Sequence, residues 1–306
     1  MNIAILMSTY NGERFIEDQI RSILNQSYCD FRLYIRDDGS SDDTLTIIQE
    51  LKKQDNRINL MNANVNLGPA YSFLTLAKSV EADLYFFSDQ DDYWKEDKLQ
   101  RAVSELKSIT DPALYHTDLD IVDDSLISYG NSFYKDQICD YNSLFLQNSV
   151  VGCTIAFNKP LHELLFDGSE LPQDIVMHDW WVALTAYCFG VIIFDKSQTI
   201  MYRQHDGNVI GEKKRTLMMK IKSLLNGIGL GKIKKHKYNS SKQITSFISN
   251  YGAKIEKKQL LKMQLVQKLG ANPSISDVLN LFYSGIFMSG WYVNVALLLS
   301  VLKNNQ

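Results

Sequence analysis

Short apolar runs alternate with segments of helical periodicity over the first 110 residues. The runs are typical of strands that other elements cover on both faces. They predict strands at 3–7, 33–35, 58–61 and 84–87. Apolar residues recur at helical spacing after Gly12, Ser40 and Gly68, and Ser40 with Asp43 resembles a capping box. The alternation predicts an α/β fold with a mostly parallel, doubly wound central sheet.

The pattern continues less regularly beyond residue 110, and the composition changes near Gly211. Further elements are predicted as strands at 113–122, 153–158, 191–195 and 200–204 and as a helix at 178–189. Between Lys213 and Lys254 the chain holds 11 Lys and Arg and no acidic residue, whereas the remainder holds 21 basic and 35 acidic residues. We therefore predict a first domain at 1–211 and a helical, basic region at 212–306.

The cysteines and the N-terminus favour a cytoplasmic protein. Cysteines stand at four widely spaced positions without a CxxC pair: Cys29, Cys139, Cys153 and Cys188. The chain opens directly on a predicted strand, without a basic and apolar leader. Free thiols in a reducing compartment are the expected state of such cysteines.

Polar residues follow three predicted strands, at 8–11, 37–38 and 89–92, on the edge where parallel sheets bind ligands. The first cluster, at 89–92, is the most acidic. Carboxylates crowded there repel one another unless a cation binds. Oxygen ligands suit Mg²⁺ or Mn²⁺, and either ion would favour departure of a diphosphate. The alternative is an acidic turn in which Asp92 caps a helix. A calcium EF-hand is excluded because Tyr93 and Trp94 occupy positions that need a ligand and a glycine.

The second cluster is the pair Asp37-Asp38, which follows a strand and precedes a helix. One interpretation is turn and capping chemistry. The other is that Asp38 accepts a hydrogen bond from the ring N–H of a pyrimidine. Thr9, Tyr10 and Asn11, at the neighbouring strand end, would then offer an aromatic face and polar edges to the same base.

The third cluster, His178 to Trp181, opens a predicted helix. Asp179 there is a candidate general base, since an alcohol that attacks an anomeric carbon must lose its proton. Trp180 and Trp181 would wall the acceptor pocket. The alternative is a carboxylate favoured by the helix dipole, with both tryptophans in the core.

Tyr202-Arg203-Gln204-His205 ends the last predicted strand. His205 is a candidate to complete the metal site or to bind phosphate, and Arg203 to neutralise phosphate charge. An ordinary structural histidine is the alternative.

Together these residues resemble glycosyltransferase family 2, and the resemblance spans about residues 1–210. The motifs that carry it are Ile-Leu-Met-Ser-Thr-Tyr-Asn-Gly at 5–12, Asp-Asp-Gly-Ser-Ser-Asp-Asp-Thr at 37–44, Asn66-Leu67-Gly68, the run Phe-Ser-Asp-Gln-Asp-Asp-Tyr-Trp at 87–94, His178-Asp179-Trp180 and Tyr202-Arg203-Gln204-His205. The later motifs are similar, more narrowly, to rhamnosyltransferases that build bacterial cell-wall and capsular polysaccharides. The resemblance implies a GT-A fold, with a nucleotide-binding half at about 1–110 and an acceptor half at about 111–211.

The resemblance also implies roles within an inverting transfer from a nucleotide diphosphate sugar to a hydroxyl group. Tyr10 would lie against a pyrimidine held by Asp38, and Asp89 would lie near the ribose and donor sugar. Asp91 and His205 would bind the metal, and Asp179 would be the base. The remaining implied contacts are Thr9, Asn11, Asn66, Gly68 and Arg203 to the donor, and His178, Trp180 and Trp181 to the acceptor. The narrower likeness implies dTDP-L-rhamnose as the donor.

Residues 213–306 lie beyond the resemblance. Nine Lys and Arg alternate with apolar residues between Lys213 and Lys237, which favours an anionic membrane surface over nucleic acid as the partner. A solvated helical face is the alternative. The stretch 278–302 has no formal charge, but its spaced polar residues favour a helix buried on one side over a membrane span. We expect peripheral attachment at the inner face of the plasma membrane, where an acceptor on a lipid carrier would be reached.

Two other functions fit parts of the pattern. A sugar-nucleotide pyrophosphorylase is also metal-dependent and α/β, but it needs a glycine-rich, basic loop after the first strand, where this chain has Ser-Thr-Tyr-Asn-Gly-Glu at 8–13. A carbohydrate or nucleic-acid binding module would use the basic region and leave the clusters at 89–92 and 178–181 without a role.

Overall fold

A computed structural model of the chain describes residues 1–61, 65–132, 141–168, 170–205, 228–271 and 273–302. Two compact units share the chain discontinuously. The first comprises 1–138, 150–171 and 185–211, and the second 139–149, 172–184 and 212–306. The predicted boundary near Gly211, residues 213–227 of the basic region and Cys139 lie outside the described residues.

The first part of the first unit is a parallel sheet with helices between its strands. Its elements are β1 (Ile3–Thr9), α1 (Ile16–Leu24), β2 (Arg32–Asp37), α2 (Thr44–Gln54), β3 (Ile58–Met61), α3 (Gly68–Lys78) and β4 (Leu84–Ser88). The strands pair in parallel in the order β3-β2-β1-β4. β1 lies inside this sheet, and its residues 3–7 are buried, which is why the sequence there is apolar without interruption.

The rest of the first unit extends the sheet with mixed pairing. Its elements are β5 (Tyr93–Trp94), α4 (Lys98–Leu106), β6 (Ala113–Val122), β7 (Ser128–Ser132), β8 (Ile155–Asn158), α5 (Lys159–Leu165), the end of α6 (His178–Phe189) and β9 (Val191–Arg203). β8 is antiparallel to both β4 and β6, whereas β6 and β9 are parallel. The predicted α/β architecture with a mostly parallel sheet is confirmed.

Two local predictions were wrong. The separate strands at 191–195 and 200–204 are one strand, β9, because a register shift opposite Thr117 and Asp118 absorbs the polar residues between them. The capping box before α2 does not form. The Ser40 hydroxyl donates instead to Asp37 Oδ1, and the backbone N–H of Asp43 donates to Glu13.

The second unit is helical in its described part. It contains a 3₁₀ turn (Tyr141–Phe145), the start of α6, α7 (Ile228–Tyr251), α8 (Lys257–Lys268), α9 (Ile275–Tyr283) and α10 (Trp291–Leu302). The stretch 278–302 is two helices rather than one, since Gly285 and Gly290 adopt left-handed φ of 76° and 93° between them. Among the described helices, none combines the length and the apolar character that crossing a membrane requires.

Candidate active site

The ends of β1, β2 and β4 bring residues 8–11, the pair Asp37-Asp38 and the acidic turn at 89–92 to one edge of the sheet. The Tyr10 N–H donates to Gln90 Oε1 at 2.9 Å, and Gln90 Nε2 donates back to the Tyr10 carbonyl at 3.1 Å. The Asp38 N–H donates to the Thr9 carbonyl at 2.7 Å. These hydrogen bonds link the segments that follow β1, β2 and β4. The Tyr10 side chain beside them is about half exposed.

Asp38 is held by an ion pair and two amides. Its Oδ1 accepts from the Leu67 N–H at 2.9 Å and pairs with Arg36 Nη1, and its Oδ2 accepts from the Gly68 N–H at 2.7 Å. Gly68 has a φ of 71°, which a side chain disfavours, so the loop can turn its amide toward the carboxylate. Asn66 Oδ1 accepts from the same Gly68 N–H at 3.1 Å.

Arg36 is a buried residue of this site that the sequence analysis did not identify. Besides Asp38, its guanidinium donates to Ser72 Oγ and to the Val65 carbonyl, each at 2.8 Å. A basic residue directly after the run Leu33-Tyr34-Ile35 and directly before two aspartates was the available signal. Arg36 fixes the position of the carboxylate that we predicted to meet the base.

Asp37 and Asn11 build turns. Asp37 accepts from the Thr9 hydroxyl and from the N–H groups of Gly39 and Ser40. Asn11, at a φ of 48°, accepts the Ser41 N–H on its side-chain oxygen. Of the two interpretations of the aspartate pair, turn chemistry describes Asp37, whereas Asp38 reaches toward the loop at 65–68.

Asp91 and His205 lie together. His205 Nε2 is 2.9 Å from Asp91 Oδ2, and both side chains are partly exposed. The imidazole also packs against Phe15, with ring centroids 4.9 Å apart, which fixes its orientation. A carboxylate oxygen and an imidazole nitrogen at this separation suit two ligands of one divalent cation. The chemistry and separation of the two residues named from the sequence as metal ligands are compatible with that role, which stays a prediction.

Asp92 lies behind them, fully buried, and it caps no helix, since β5 follows it. Its Oδ1 accepts from the Arg203 N–H at 3.3 Å, and its Oδ2 has no hydrogen-bond partner among the described residues. Burial, with further contributions from Asp91 and Asp89, raises the pKa of the Asp92 carboxyl well above its usual range. Burial thus opposes a negative charge on Asp92, and a nearby cation would favour it.

Cys153 and Lys98 are also buried, close to Asp92. Asp89, Asp92 and Cys153 have ligand atoms within 4.8 Å of one another. Burial raises the pKa of the Cys153 thiol, and burial lowers the pKa of Lys98 to about 8. The Lys98 ammonium lies 4.8 Å from the centroid of the Trp94 ring. Sequence reasoning missed both residues, because neither belongs to a polar cluster along the chain.

Arg203 is also buried and makes protein contacts. Its Nη2 lies 2.9 Å from Asp18 Oδ2, and its guanidinium lies 4.5 Å from the centre of the Phe15 ring. These contacts hold the positively charged guanidinium of Arg203 against Phe15, the residue that also packs against His205. Its predicted contact with donor phosphate stays a prediction.

The third cluster belongs to the second unit, where α6 begins at His178. Asp179 Oδ1 accepts the Trp180 N–H at 2.7 Å, as a carboxylate in a first helical turn does. Burial lowers the pKa of His178 to about 3, so its imidazole is neutral at pH 7. His178 therefore adds no positive charge beside Asp179.

Both tryptophans of this cluster are core residues of the second unit. Trp180 Nε1 donates to the Leu144 carbonyl at 2.6 Å. Trp181 packs against Phe247 and Tyr251, with ring centroids 5.1 and 5.9 Å away. These contacts match the packing interpretation that the sequence left open, and the role of the tryptophans in acceptor binding stays a prediction.

Comparison with known proteins defines the class. A sequence model of glycosyl transferase family 2 matches residues 4–163, which include β1 to β8. This chain belongs to glycosyl transferase family 2, and the resemblance seen in its motifs is confirmed.

Individual relatives give the comparison more detail. The dTDP-rhamnosyl transferase RfbG of Shigella flexneri is 30% identical over 220 residues, 67% of this chain and 73% of the relative. The UDP-Glc:alpha-D-GlcNAc-diphosphoundecaprenol beta-1,3-glucosyltransferase WfgD of Escherichia coli is 31% identical over 160 residues, 52% of this chain and 61% of the relative. The crystal structure of TarS 1–349 from S. aureus with UDP-GlcNAc has a TM-score of 0.59 at 15% identity, covering all of this chain and 92% of that one. The fold is therefore GT-A with a helical C-terminal region.

Proposed function

We propose that this glycosyltransferase is divalent-metal-dependent and inverting, and that it moves a sugar from a nucleotide diphosphate to an acceptor hydroxyl. The observation that carries the proposal is the pairing of Asp91 with His205, at the edge of the sheet where Asp38 is held by three donors. Acidic residues gathered there need a cation, and a diphosphate leaving group needs the same cation.

Asp91 and His205 would hold Mg²⁺ or Mn²⁺, and the bound ion would neutralise the charge that develops on the departing diphosphate. Asp89, next to them in the acidic turn, would contact the ribose and donor sugar. Asp38 would accept the ring N–H of the pyrimidine, for which its Oδ2 has a second lone pair beyond the one that receives Gly68. The exposed ring of Tyr10 would lie against the base.

Asp179 would be the general base. Family resemblance assigns it, and its position in the first turn of α6 gives the carboxylate a fixed orientation through the Trp180 N–H. Because inversion needs a single displacement, one carboxylate that accepts the hydroxyl proton is sufficient.

The donor would be dTDP-L-rhamnose. Similarity to RfbG over two thirds of the chain supports this choice, as does the form of the motifs at 178–180 and 202–205. The product would then be a rhamnosylated cell-wall or capsular polysaccharide.

The acceptor would be lipid-linked, and the enzyme would work in the cytoplasm at the inner face of the plasma membrane. Similarity to WfgD, whose acceptor is a diphosphoundecaprenol-linked sugar, supports a lipid carrier. The basic composition of residues 213–306 supports attachment to an anionic surface rather than to nucleic acid.

A donor panel tests the proposal. We would measure release of free nucleotide from dTDP-rhamnose, dTDP-glucose, UDP-glucose and UDP-GlcNAc, with Mg²⁺, with Mn²⁺ and with a chelator. Metal-dependent release that is fastest for dTDP-rhamnose is expected. Equal rates with the chelator would refute metal dependence, and preference for a UDP-sugar would refute the donor. Formation of a nucleotide sugar from a nucleoside triphosphate and a sugar phosphate would support a pyrophosphorylase instead.

A further inference from the structure

The last two helices of the second unit expose an apolar stripe, which we call the outer stripe. On α9 it follows a spacing of four, with exposed Ile275, Leu279 and Tyr283. On α10 it consists of Trp291, Val295, Leu299 and Leu302. Residues four apart lie on one face of a helix, so each set forms a continuous strip.

The opposite face of α10 is already used by the core. Ala296, Leu297, Ser300 and Val301 are buried, and helical geometry places them on the face opposite the exposed residues of the outer stripe. No residue of α10 carries a charge. A helix that is apolar on all sides is normally buried on all sides. Within the described part of the chain one side of α10 is covered and the other is exposed, so the outer stripe is surface that a partner would cover.

Aromatic residues mark the turn between the two helices. Tyr283, Phe287 and Trp291 stand four residues apart, and Tyr283 is 89% exposed and Trp291 66%. Phe287 stacks on Phe282, with ring centroids 5.2 Å apart, which keeps its ring at the same turn. The amphipathic rings of Tyr283 and Trp291 are of the kind favoured at the boundary between lipid head groups and acyl chains.

The charge of the described helices is complementary to an anionic surface. Residues 228–302 hold ten lysines and two acidic residues, a formal charge of +8. Lys232, Lys234 and Lys235 on α7 are exposed. Exposed apolar and aromatic side chains together with a strong excess of lysine in the same unit are the composition of an interfacial membrane-binding element.

We propose that the outer stripe inserts into the head-group region of an anionic bilayer, with α9 and α10 lying in the plane of the membrane. The stripe supplies apolar burial and the lysines supply attraction to acidic lipids, so both are needed for stable attachment. This deepens the membrane attachment proposed above, and it does not depend on which sugar the enzyme transfers. A second copy of the chain would also cover an apolar face, but the excess of lysine opposes self-association.

Trp291 provides a direct probe. The chain has four tryptophans, and Trp94, Trp180 and Trp181 are buried whereas Trp291 is exposed. The full-length protein would be mixed with vesicles of phosphatidylglycerol and phosphatidylcholine whose acyl chains carry bromine, which quenches tryptophan fluorescence on contact. We expect quenching and a blue shift that vanish in Trp291→Phe, while that variant still sediments with the vesicles. Sedimentation without any quenching would overturn insertion of the stripe.

Three variants separate the contributions. The stripe variant combines Trp291→Gln, Val295→Gln and Leu299→Gln, and the charge variant combines Lys232→Gln, Lys234→Gln and Lys235→Gln. The matched control is Ile127→Gln, an exposed isoleucine of the first unit. We expect the stripe variant to bind the vesicles at least about tenfold more weakly, because three large apolar contacts are lost. The control should bind like the wild type.

The outcomes distinguish this inference from the proposed function. If only the charge variant loses vesicle binding, the attachment is electrostatic and the outer stripe is not inserted. If the wild type is a dimer without lipid and the stripe variant is a monomer, the stripe is a self-association surface and the proposal is wrong. Release of nucleotide from a soluble donor, measured on the same variants, should be unchanged. If the wild type released no nucleotide, that result would contradict the proposed enzymatic function but not the proposed insertion of the outer stripe.

Discussion

Replacing Arg36 tests how the nucleotide end of the site is built. In Arg36→Met the side chain keeps its length but loses the charge that faces Asp38, and both residues are buried. Breaking a buried ion pair from one side costs about 3–5 kcal/mol of stability. Two backbone amides still hold the carboxylate, so we expect the lower end, about 3 kcal/mol. For a unit of this size that is a fall in Tm of roughly 6–12 °C.

Differential scanning calorimetry of the full chain would measure the change, with Arg32→Met as the matched control. Arg32 lies on the same strand and is exposed, so its replacement should leave the Tm within about 1–2 °C. The double variant Arg36→Met with Asp38→Asn removes the uncompensated negative charge and keeps an acceptor oxygen for one of the two amides, while the Gly68 N–H retains Asn66 Oδ1 as an acceptor. It should therefore be more stable than Arg36→Met alone. Equal Tm values for the Arg36 and Arg32 variants, or additive losses in the double variant, would refute the reasoning.

Two further predictions concern the base and a buried histidine. Asp179→Asn should reduce transfer by about 10²–10⁴-fold, since the hydroxyl proton then has no acceptor, while a titration calorimeter should show unchanged binding of dTDP. Transfer at the wild-type rate would remove Asp179 from the mechanism. Burial lowers the pKa of His116 to about 3, below the 6.5 of an unfolded chain. Between pH 6.5 and pH 3 the unfolded state therefore binds a proton that the folded state does not, and stability falls as the pH drops. Urea unfolding should show that, below pH 6.5, the free energy of unfolding of the wild type falls by up to about 1.4 kcal/mol per pH unit more than that of His116→Phe. Phenylalanine is chosen because its ring can keep the stacking on Phe194. Parallel pH profiles of the two proteins would contradict this prediction.

Local signals in the sequence were sufficient for the sheet edge that carries the candidate site. The apolar run at 3–7 and the aspartates at the ends of β2 and β4 predict strand ends that lie together, because parallel strands place their carboxyl ends at one edge. His205 lies 114 residues from Asp91, yet its position at the end of a strand pattern was enough to group it with the acidic turn.

Long-range pairing was not predictable in the same way. β8 inserts antiparallel between β4 and β6, which no local pattern specifies. Arg36 has the residue type of a surface position, and only its three acceptors, Asp38, Ser72 and the Val65 carbonyl, explain its buried place in the site. The segment at 139–149 joins the second unit although its neighbours on both sides belong to the first, because residues such as Leu144 pack with α6.

The C-terminal helices show a limit of reasoning from hydropathy. A stretch of 25 uncharged residues has the length of a membrane span, and its polar residues suggested one half-buried helix. Two glycines with left-handed φ instead divide it into α9 and α10. The division places exposed aromatic residues at the turn, a feature that no average over the stretch reveals.

Binding of dTDP to the full-length protein, measured by titration calorimetry with and without Mn²⁺, tests the central claim most directly. The acidic turn and His205 are expected to bind nucleoside diphosphate only together with the ion. Wild type and the control Asp97→Asn, an exposed acid that pairs with Arg101, should therefore bind dTDP in the presence of Mn²⁺ and lose binding in a chelator. Asp91→Asn should bind weakly under both conditions. Tight binding by wild type in the chelator, or undiminished Mn²⁺-dependent binding by Asp91→Asn, would contradict the account.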